Sequence, residues 1–336
     1  MPIAPAEPSP RVRIAFVGDV LLGGGLDSLL NKRGADYPWQ HVAAHLQSAD
    51  LAIGNLETAV TTGGSPEPEK QFTFRSHPSR LAGAARAGID IWSLANNHSR
   101  DFGPDALMET VELVRRAGME PVGAGPALAD ALQPVIREVH GLRIAVVAVS
   151  RVIPAPHWVA WEGNPGVAPG WDPDVVKEAV AKAAAEADHV ILLVHWGEER
   201  VDQPRAADID LARIALEAGA TIVVGHHPHV LQGIDWTGSR LVAYSLGNFI
   251  FPDAPRPLNQ QTGILTLELD RSGVRDARLT PLVISQGQPG PPTVDQTKAI
   301  LERLDRLSEP FGTRIDREGK LEPKPTSGRA CPACVK

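Results

Sequence analysis

Short apolar runs alternate with amphipathic stretches along the first two thirds of this chain. Residues 12–17, 143–149 and 189–194 have the length and composition of buried strands, whereas residues 104–117 and 174–187 have the spacing of apolar residues typical of helices. A strand, a helix and a second strand form the unit from which parallel sheets are built. The alternation therefore predicts an α/β fold.

The other predicted elements extend this pattern up to about residue 230 and change it afterwards. Further strands are predicted at 51–53, 71–75, 89–94, 119–122 and 220–224, and further helices at 39–47, 79–87, 205–218 and 294–307. After residue 230, the segments 230–236, 241–245, 263–270 and 274–284 follow one another without helices, which predicts antiparallel strands. Residues 154–173, rich in Trp, Pro and Gly, predict a loop that could cover a substrate.

The composition limits the class of protein. The 336 residues, 43% of them hydrophobic, are enough for one large α/β domain, which we expect over residues 11–310, with a disordered lead at 1–10 and a flexible tail at 311–336. The net charge of −7 argues against general nucleic-acid binding. No run approaches the ~20 apolar residues of a membrane helix, and the first residues lack the pattern of a signal peptide. The sequence thus predicts a soluble, cytoplasmic protein without a membrane anchor.

The two cysteines, Cys331 and Cys334, both lie within the last six residues. Their position excludes a disulfide in the core, and their spacing could provide half of a zinc site or a redox pair. Because the sequence has no second pair and the preceding residues are rich in proline and polar groups, we expect a mobile tail without a metal role.

Side chains that can bind a metal or carry a proton follow five predicted strands. They are Asp19, Asn55, Glu57, Asn97, His98, His195, His226, His227 and His229. Because open α/β sheets build their sites at the carboxyl ends of strands, we expect these groups in one crevice. Each has a structural alternative, as a helix cap, a turn residue or a core histidine. Together they favour a metal site, and their mixture of carboxylate, amide and imidazole suits Mn, Fe or Zn.

The motifs around these residues carry a family resemblance. They are Gly18-Asp19, Gly54-Asn-Leu-Glu57, Ser93-Leu-Ala-Asn-Asn-His98, His195-Trp-Gly-Glu-Glu199, Gly225-His-His-Pro-His229 and Tyr244-Ser-Leu-Gly-Asn-Phe249. Over about residues 12–285 the chain resembles the CapA (poly-γ-glutamate capsule biosynthesis) family, which is similar to a branch of the calcineurin-like metallophosphoesterases. The resemblance implies a four-layer α/β/β/α sandwich with metal ligands on loops at the carboxyl edges of its sheets.

The resemblance also implies a set of metal ligands. They are Asp19, Glu57, Asn97, His195, His227 and His229. Asn55 remains an alternative to Glu57, and His226 could substitute within the final pair. Two positions depart from the superfamily pattern, because Leu21 stands where a histidine is usual and Asn55 where an aspartate is usual. One metal position could therefore be weaker or vacant, although the number of ligands favours two divalent ions.

Four further residues are predicted to act on the substrate. His98 would protonate the leaving group or stabilise charge on the transferred group, and Asp101 would orient His98 or cap the helix that follows. Arg75 would bind an anionic group of the substrate or lie exposed at a strand edge. Asn248 is placed with the substrate-binding residues, as a group that supports the site or forms a strand-end turn.

These residues predict a metal-dependent hydrolase, in which a metal-activated hydroxide attacks a phosphoester or an amide such as a γ-glutamyl bond. Its substrate would be a small molecule or a polyglutamate-like anion. Two other functions remain open: an accessory or binding subunit of poly-γ-glutamate biosynthesis, and a metal-dependent transferase or cyclase in a small-molecule pathway. The predicted lack of an anchor favours an enzyme over a subunit of capsule assembly.

Overall fold

The computed structural model of the protein describes residues 10–253 and 256–323. Residues 1–9 of the predicted lead, and the pair Cys331 and Cys334, lie outside the described residues. In this part of the chain, none of the helices combines the length and the apolar character needed to cross a membrane.

Strands and helices follow one another in mixed order through the described chain. The strands are β1 (Val12–Val20), β2 (Leu51–Leu56), β3 (Ala59–Val60), β4 (Arg75–Ser76), β5 (Ile91–Ser93), β6 (Glu120–Val122), β7 (Ala124–Gly125), β8 (Val135–Val139), β9 (Leu142–Ser150), β10 (Gly166–Val167), β11 (His189–His195), β12 (Ile222–His226), β13 (Ile234–Thr237), β14 (Arg240–Ala243), β15 (Asn248–Ile250), β16 (Gln261–Asp270), β17 (Gly273–Ser285), β18 (Gln288–Gly290), β19 (Arg314–Ile315) and β20 (Leu321–Glu322). The helices are α1 (Asp27–Arg33), α2 (Ala43–Gln47), α3 (Leu81–Ala87), α4 (Pro104–Arg116), α5 (Leu128–Ala131), α6 (Pro173–Ala184), α7 (Ala206–Glu217) and α8 (Val294–Ser308).

Two large sheets carry most of the strands. The first has the order β18-β17-β16-β1-β2-β5-β6, with β15 also paired to β1, and the second has the order β13-β14-β12-β11-β9-β8. Neighbours are parallel from β1 to β6 in the first sheet and from β9 to β14 in the second. Strands β16 to β18, β13 and β8 add antiparallel pairings. Each sheet therefore has a parallel centre whose strands end on the same edge.

The two faces of each sheet bury different apolar clusters. Ile14 of β1 packs in one cluster with Ile144 of β9, so these faces of the two sheets meet. Ala15 faces the other way and belongs to a cluster with residues of α3 and α4, and Val147 belongs to a cluster with residues of α6 and α7. Burial of each large aliphatic side chain contributes about 1.5–3 kcal/mol before the loss of entropy. Helices thus cover the outer face of each sheet.

The α/β prediction is confirmed, and four of its details are wrong. Residues 39–47 contain only the short helix α2 after a 3₁₀ turn, and residues 71–75 contribute only the start of β4. Strand β14 pairs in parallel with β12, so the strands after residue 230 are not all antiparallel to their neighbours. The predicted tail also begins too early. Ile315 and Leu321 lie in the hairpin of β19 and β20 and join the core between the sheets, which keeps this segment folded beyond residue 310.

Candidate metal centre

Strands of both sheets bring polar side chains to one place. In the first sheet Asp19 of β1 lies in register with Asn55 of β2, and in the second sheet His195 of β11 lies in register with His226 of β12. Of the other predicted ligands, Glu57 follows β2, Asn97 follows β5, and His227 and His229 follow β12. Strand β1 is parallel to β2, β2 to β5 and β11 to β12, so the carboxyl ends of these strands open into a shared crevice.

The side chains from the two sheets approach one another closely. Oδ2 of Asp19 lies 3.1 Å from Nδ1 of His229, and Oε1 of Glu57 lies 3.7 Å from Nε2 of His195 and 3.8 Å from Nε2 of His229. Nε2 of His195 is also 2.8 Å from Oδ1 of Asn97. Asp19 and Glu57 are fully buried and His195 is nearly so. Residues far apart in the sequence therefore form one compact cluster.

The cluster has the composition and the unmet bonding capacity of a cation site. Two groups of three residues have potential ligand atoms within 4.8 Å of one another: Asp19, Glu57 and His195, and Glu57, His227 and His229. Oε1 of Glu57 and Nδ1 of His227 are buried without a hydrogen-bond partner among the described residues. Such atoms are rare and cost about 1–3 kcal/mol each. A divalent cation would satisfy both atoms, so these residues fit a metal ion.

The turn between His227 and His229 holds a strained backbone. His227 has a φ of 97° and His229 a φ of 57°, in the left-handed region that residues other than glycine rarely adopt. Such conformations cost of order 1–3 kcal/mol each and concentrate at functional sites. Here the strain accompanies two neighbouring imidazoles, whose ring centres lie 5.8 Å apart, on one side of the crevice.

Burial and close charges set the protonation of the cluster. Burial opposes the ionisation of Asp19, but the hydrogen bond and charge of His229 outweigh it and lower the pKa of Asp19. Burial, with the charge of Asp19, raises the pKa of Glu57 well above its usual range. Although burial disfavours a charged His229, the charges of Glu57 and Asp19 raise its pKa to about 9. Burial and the neighbouring imidazoles lower the pKa of His227 to about 3 and that of His195 well below its usual value.

Two residues that the sequence left as alternatives lie at the edge of this arrangement. Nε2 of His226 is 3.3 Å from the backbone oxygen of Val17, so His226 contacts β1 and does not belong to either group of three. Asn55 directs its amide nitrogen at the acids, 2.9 Å from Oδ1 of Asp19. The structure therefore brings Glu57 and His227, rather than Asn55 and His226, into the candidate ligand set.

His98 and Asp101 lie together beside the cluster, and Lys70 joins them. Nδ1 of His98 is 2.7 Å from Oδ2 of Asp101 and 3.1 Å from Nζ of Lys70, which also donates to Asp101 and to the backbone oxygen of Asn97. Burial lowers the pKa of both His98 and Lys70, against the opposing charge of Asp101. The helix after Asp101 is capped by Gly103 without a side-chain bond. Lys70 is not among the residues predicted from the sequence, because it lies in a loop whose Pro and Gly residues indicate only irregular structure.

The two predicted substrate-binding residues differ in their placement. Arg75 is exposed, and its guanidinium lies over the ring of Phe102 at 4.7 Å. Asn248 is buried, and its Oδ1 is 2.8 Å from Nδ1 of His229, while its amide nitrogen donates to the backbone oxygen of Asn259. Asn248 therefore contacts His229 beside the candidate centre, and Arg75 lies against an aromatic ring on the surface.

Comparisons with known proteins agree with the motifs at these strand ends. The family model described as bacterial capsule synthesis protein PGA_cap matches residues 13–253. The chain is 30% identical over 323 residues to "Capsule biosynthesis protein CapA" of Bacillus anthracis, covering 94% of this chain and 78% of that protein. It is 30% identical over 311 residues to "PGA biosynthesis protein CapA" of Bacillus subtilis, covering 91% and 80%.

A third relative carries a different name. "Probable polyglutamine synthesis accessory protein" of Mycobacterium tuberculosis is 26% identical over an alignment of 362 residues, which covers 90% of this chain and 93% of that protein. The matched region of the family model includes every residue of the candidate centre. The chain belongs to the bacterial capsule synthesis protein (PGA_cap) family.

Proposed function

We propose that the protein is a metal-dependent hydrolase that acts on a phosphoester or on a γ-glutamyl-like amide. The observation that carries this proposal is the pair of three-residue groups that share Glu57. Two polar atoms of these groups, Oε1 of Glu57 and Nδ1 of His227, are buried and have no hydrogen-bond partner within the described part of the chain. A cluster of ionisable groups with strongly shifted pKa values in one crevice is typical of catalytic sites. Membership of the capsule synthesis family supports a substrate related to poly-γ-glutamate.

In such a site most of these residues would bind the metal ion. The cation would be held by Asp19, Glu57, His195, His227 and His229. Oδ1 of Asn97 lies beside Nε2 of His195 and could provide a further oxygen ligand. A bound divalent ion lowers the pKa of water towards neutrality and polarises a substrate oxygen. We propose two such ions of Mn, Fe or Zn, because Glu57 belongs to both groups of three.

His98 is proposed to move the proton of the leaving group. Asp101 accepts a hydrogen bond from Nδ1 of His98, and this bond leaves Nε2 as the atom that exchanges a proton with the substrate. Lys70 balances the charge of the buried Asp101, and the backbone N–H of Phe74 also donates to that carboxylate. Phe74 stacks on the ring of His98 with centres 4.1 Å apart, which limits the rotation of the imidazole.

A combined metal and activity measurement tests the hydrolase proposal. The purified protein is analysed for bound metal and then assayed with added Mn²⁺ on an aryl phosphodiester and on a γ-glutamyl anilide. We expect metal in the protein and turnover of one of the two substrates. His98→Ala should keep its metal and lose about 10²- to 10⁴-fold in turnover. His140→Ala, which changes an exposed histidine on the turn after β8, is the matched control and should keep both.

The alternative is an accessory protein that binds a polyglutamate-like anion without turning it over. The name of the Mycobacterium tuberculosis relative, a probable accessory protein, favours it. This function predicts metal in the protein and binding of a γ-linked glutamate oligomer, but no hydrolysis of either substrate. Full activity of His98→Ala would contradict the role given to that residue, and a protein that holds no divalent metal would contradict both functions.

A further inference from the structure

Asn55 lies between the two acids of the candidate centre, and both ends of its side-chain amide are engaged. It is fully buried, with Nδ2 at 2.9 Å from Oδ1 of Asp19 and 3.5 Å from Oε2 of Glu57. Its Oδ1 lies 3.0 Å from Nδ2 of Asn96. The two ends of an amide have the same shape, so its orientation has to be derived from its hydrogen-bond partners.

Backbone groups fix the orientation of Asn96, and Asn96 in turn fixes Asn55. Oδ1 of Asn96 lies 2.9 Å from the backbone N–H of His98, and Nδ2 of Asn96 lies 2.9 Å from the backbone oxygen of Leu56. A backbone N–H can only donate and a backbone carbonyl can only accept. Asn96 therefore has one orientation that satisfies both contacts, and in it the NH₂ group faces Asn55. Asn55 must therefore accept this hydrogen bond with its oxygen Oδ1, and its own NH₂ group then faces the acids.

This orientation decides what Asn55 can do in the centre. An amide NH₂ group donates hydrogen bonds and has no lone pair for a cation. It contacts Oδ1 of Asp19 and Oε2 of Glu57, and it leaves the other oxygen of each carboxylate to different partners. Oε1 of Glu57 has no hydrogen-bond partner in the described chain, and Oδ2 of Asp19 lies 3.1 Å from Nδ1 of His229 and accepts from the backbone N–H of His227 at 3.3 Å. The oxygens that Asn55 does not contact are thus the ones that point at the other ligand residues.

We propose that Asn55, oriented by Asn96, is a positioning residue that turns Oδ2 of Asp19 and Oε1 of Glu57 towards the cation and is not itself a ligand. The proposal rests on the metal centre described under the proposed function. Asn55 also has a role without metal, because its two N–H groups lie between two buried carboxylates that would otherwise face each other unscreened. A carboxylate at position 55 would add a third acid where the acids now receive a hydrogen bond.

The test compares three variants with the wild type in two measurements. Mn²⁺ alone is titrated into the metal-free protein, and the free ion is followed by electron paramagnetic resonance. Thermal unfolding is recorded without metal and with saturating Mn²⁺. Asn55→Ala and Asn96→Ala should each weaken Mn²⁺ binding by about 10- to 100-fold, the usual effect of removing a group that orients a ligand. Asn31→Asp, which places the same new charge at an exposed position of α1 where Arg80 donates to the side chain, is the control for Asn55→Asp.

Asn55→Asp should lower the stability of the metal-free protein and increase its stabilisation by Mn²⁺. Without metal its melting temperature should fall further than that of Asn31→Asp, and with Mn²⁺ its increase in melting temperature should exceed that of the wild type. Wild-type Mn²⁺ affinity in Asn55→Ala or Asn96→Ala would overturn the proposal. An equal metal-free melting temperature for Asn55→Asp and Asn31→Asp would also overturn it. If the wild type binds no divalent ion, the proposed function fails, and the metal-free comparison still decides whether Asn55 holds the acids.

Discussion

Metal binding should release a proton from His229, and the affinity for Mn²⁺ should therefore rise with pH. In the metal-free protein the charges of Glu57 and Asp19 raise the pKa of His229 to about 9. At pH 7.5 the ring is then about 97% protonated, and an imidazole must be neutral to bind a metal. Removing this proton at pH 7.5 costs about 2 kcal/mol, since 1.5 pH units at about 1.4 kcal/mol each separate the pH from the pKa. Mn²⁺ should bind about 30-fold more weakly at pH 7.5 than well above pH 9.

Titration calorimetry measures this release directly. Mn²⁺ is titrated at pH 7.5 in two buffers of different ionisation enthalpy, and the difference in heat gives the number of protons released. We expect at least one proton, because the pKa of Glu57 is also raised by burial and by the charge of Asp19. Between pH 6.5 and 8.5 the proton of His229 alone should raise the affinity by about eight- to tenfold per pH unit. His229→Asn should bind more weakly and release fewer protons. Equal heats in the two buffers for the wild type would refute the reasoning.

Three further substitutions test other parts of the account. Lys70→Met should keep its bound Mn²⁺ but lose about 10- to 100-fold in turnover, because Asp101 loses its balancing charge. Gly225→Ala would place a Cβ 2.0 Å from the backbone oxygen of Tyr244, so urea unfolding should show a loss of about 1–3 kcal/mol. Gly63→Ala should show little change, because its Cβ would meet only Oγ1 of Thr61, at the ordinary contact distance of 3.8 Å. Leu321→Ala should cost about 2–5 kcal/mol in the same assay if the final hairpin belongs to the core, and the 85% exposed Val294→Ala should not.

The part of the site that follows strand ends could be predicted from the sequence. Asp19, His195 and His227 each come after or at the end of an apolar run, and parallel strands must end on a common edge. Glu57 and Asn97 stand on the loops after two neighbouring strands of the same sheet, so the same argument applies to them. The pattern of apolar residues therefore predicts that these groups lie at one edge of the sheets, but it does not predict the distances between their atoms.

Contacts made by loops could not be predicted in this way. Lys70 reaches Asp101 and His98 only because the loop before β4 folds back over the end of β5, and its Pro and Gly residues do not encode that path. Similarly, the roles of Asn55 and Asn96 depend on which end of each amide meets which backbone group. Local sequence shows that such a residue is polar, whereas its orientation is a property of the folded network.

The C-terminal boundary was wrong for a related reason. The residues after 310 are rich in charged and polar groups and contain few apolar residues, which favours a flexible tail. Two of those apolar residues, Ile315 and Leu321, nevertheless pack with Leu279 of β17 and Leu301 of α8. The hairpin is stable because of this distant surface, so its own composition gave no sign of it.

A crystal structure of the protein with Mn²⁺, with the ion located by its anomalous scattering, tests the central claim most directly. We expect Mn²⁺ bound to Oε1 of Glu57, together with imidazole nitrogens of His195, His227 or His229 and Oδ2 of Asp19. Mn²⁺ bound only at other positions, or a loaded protein in which Glu57 contacts no ion, would contradict it.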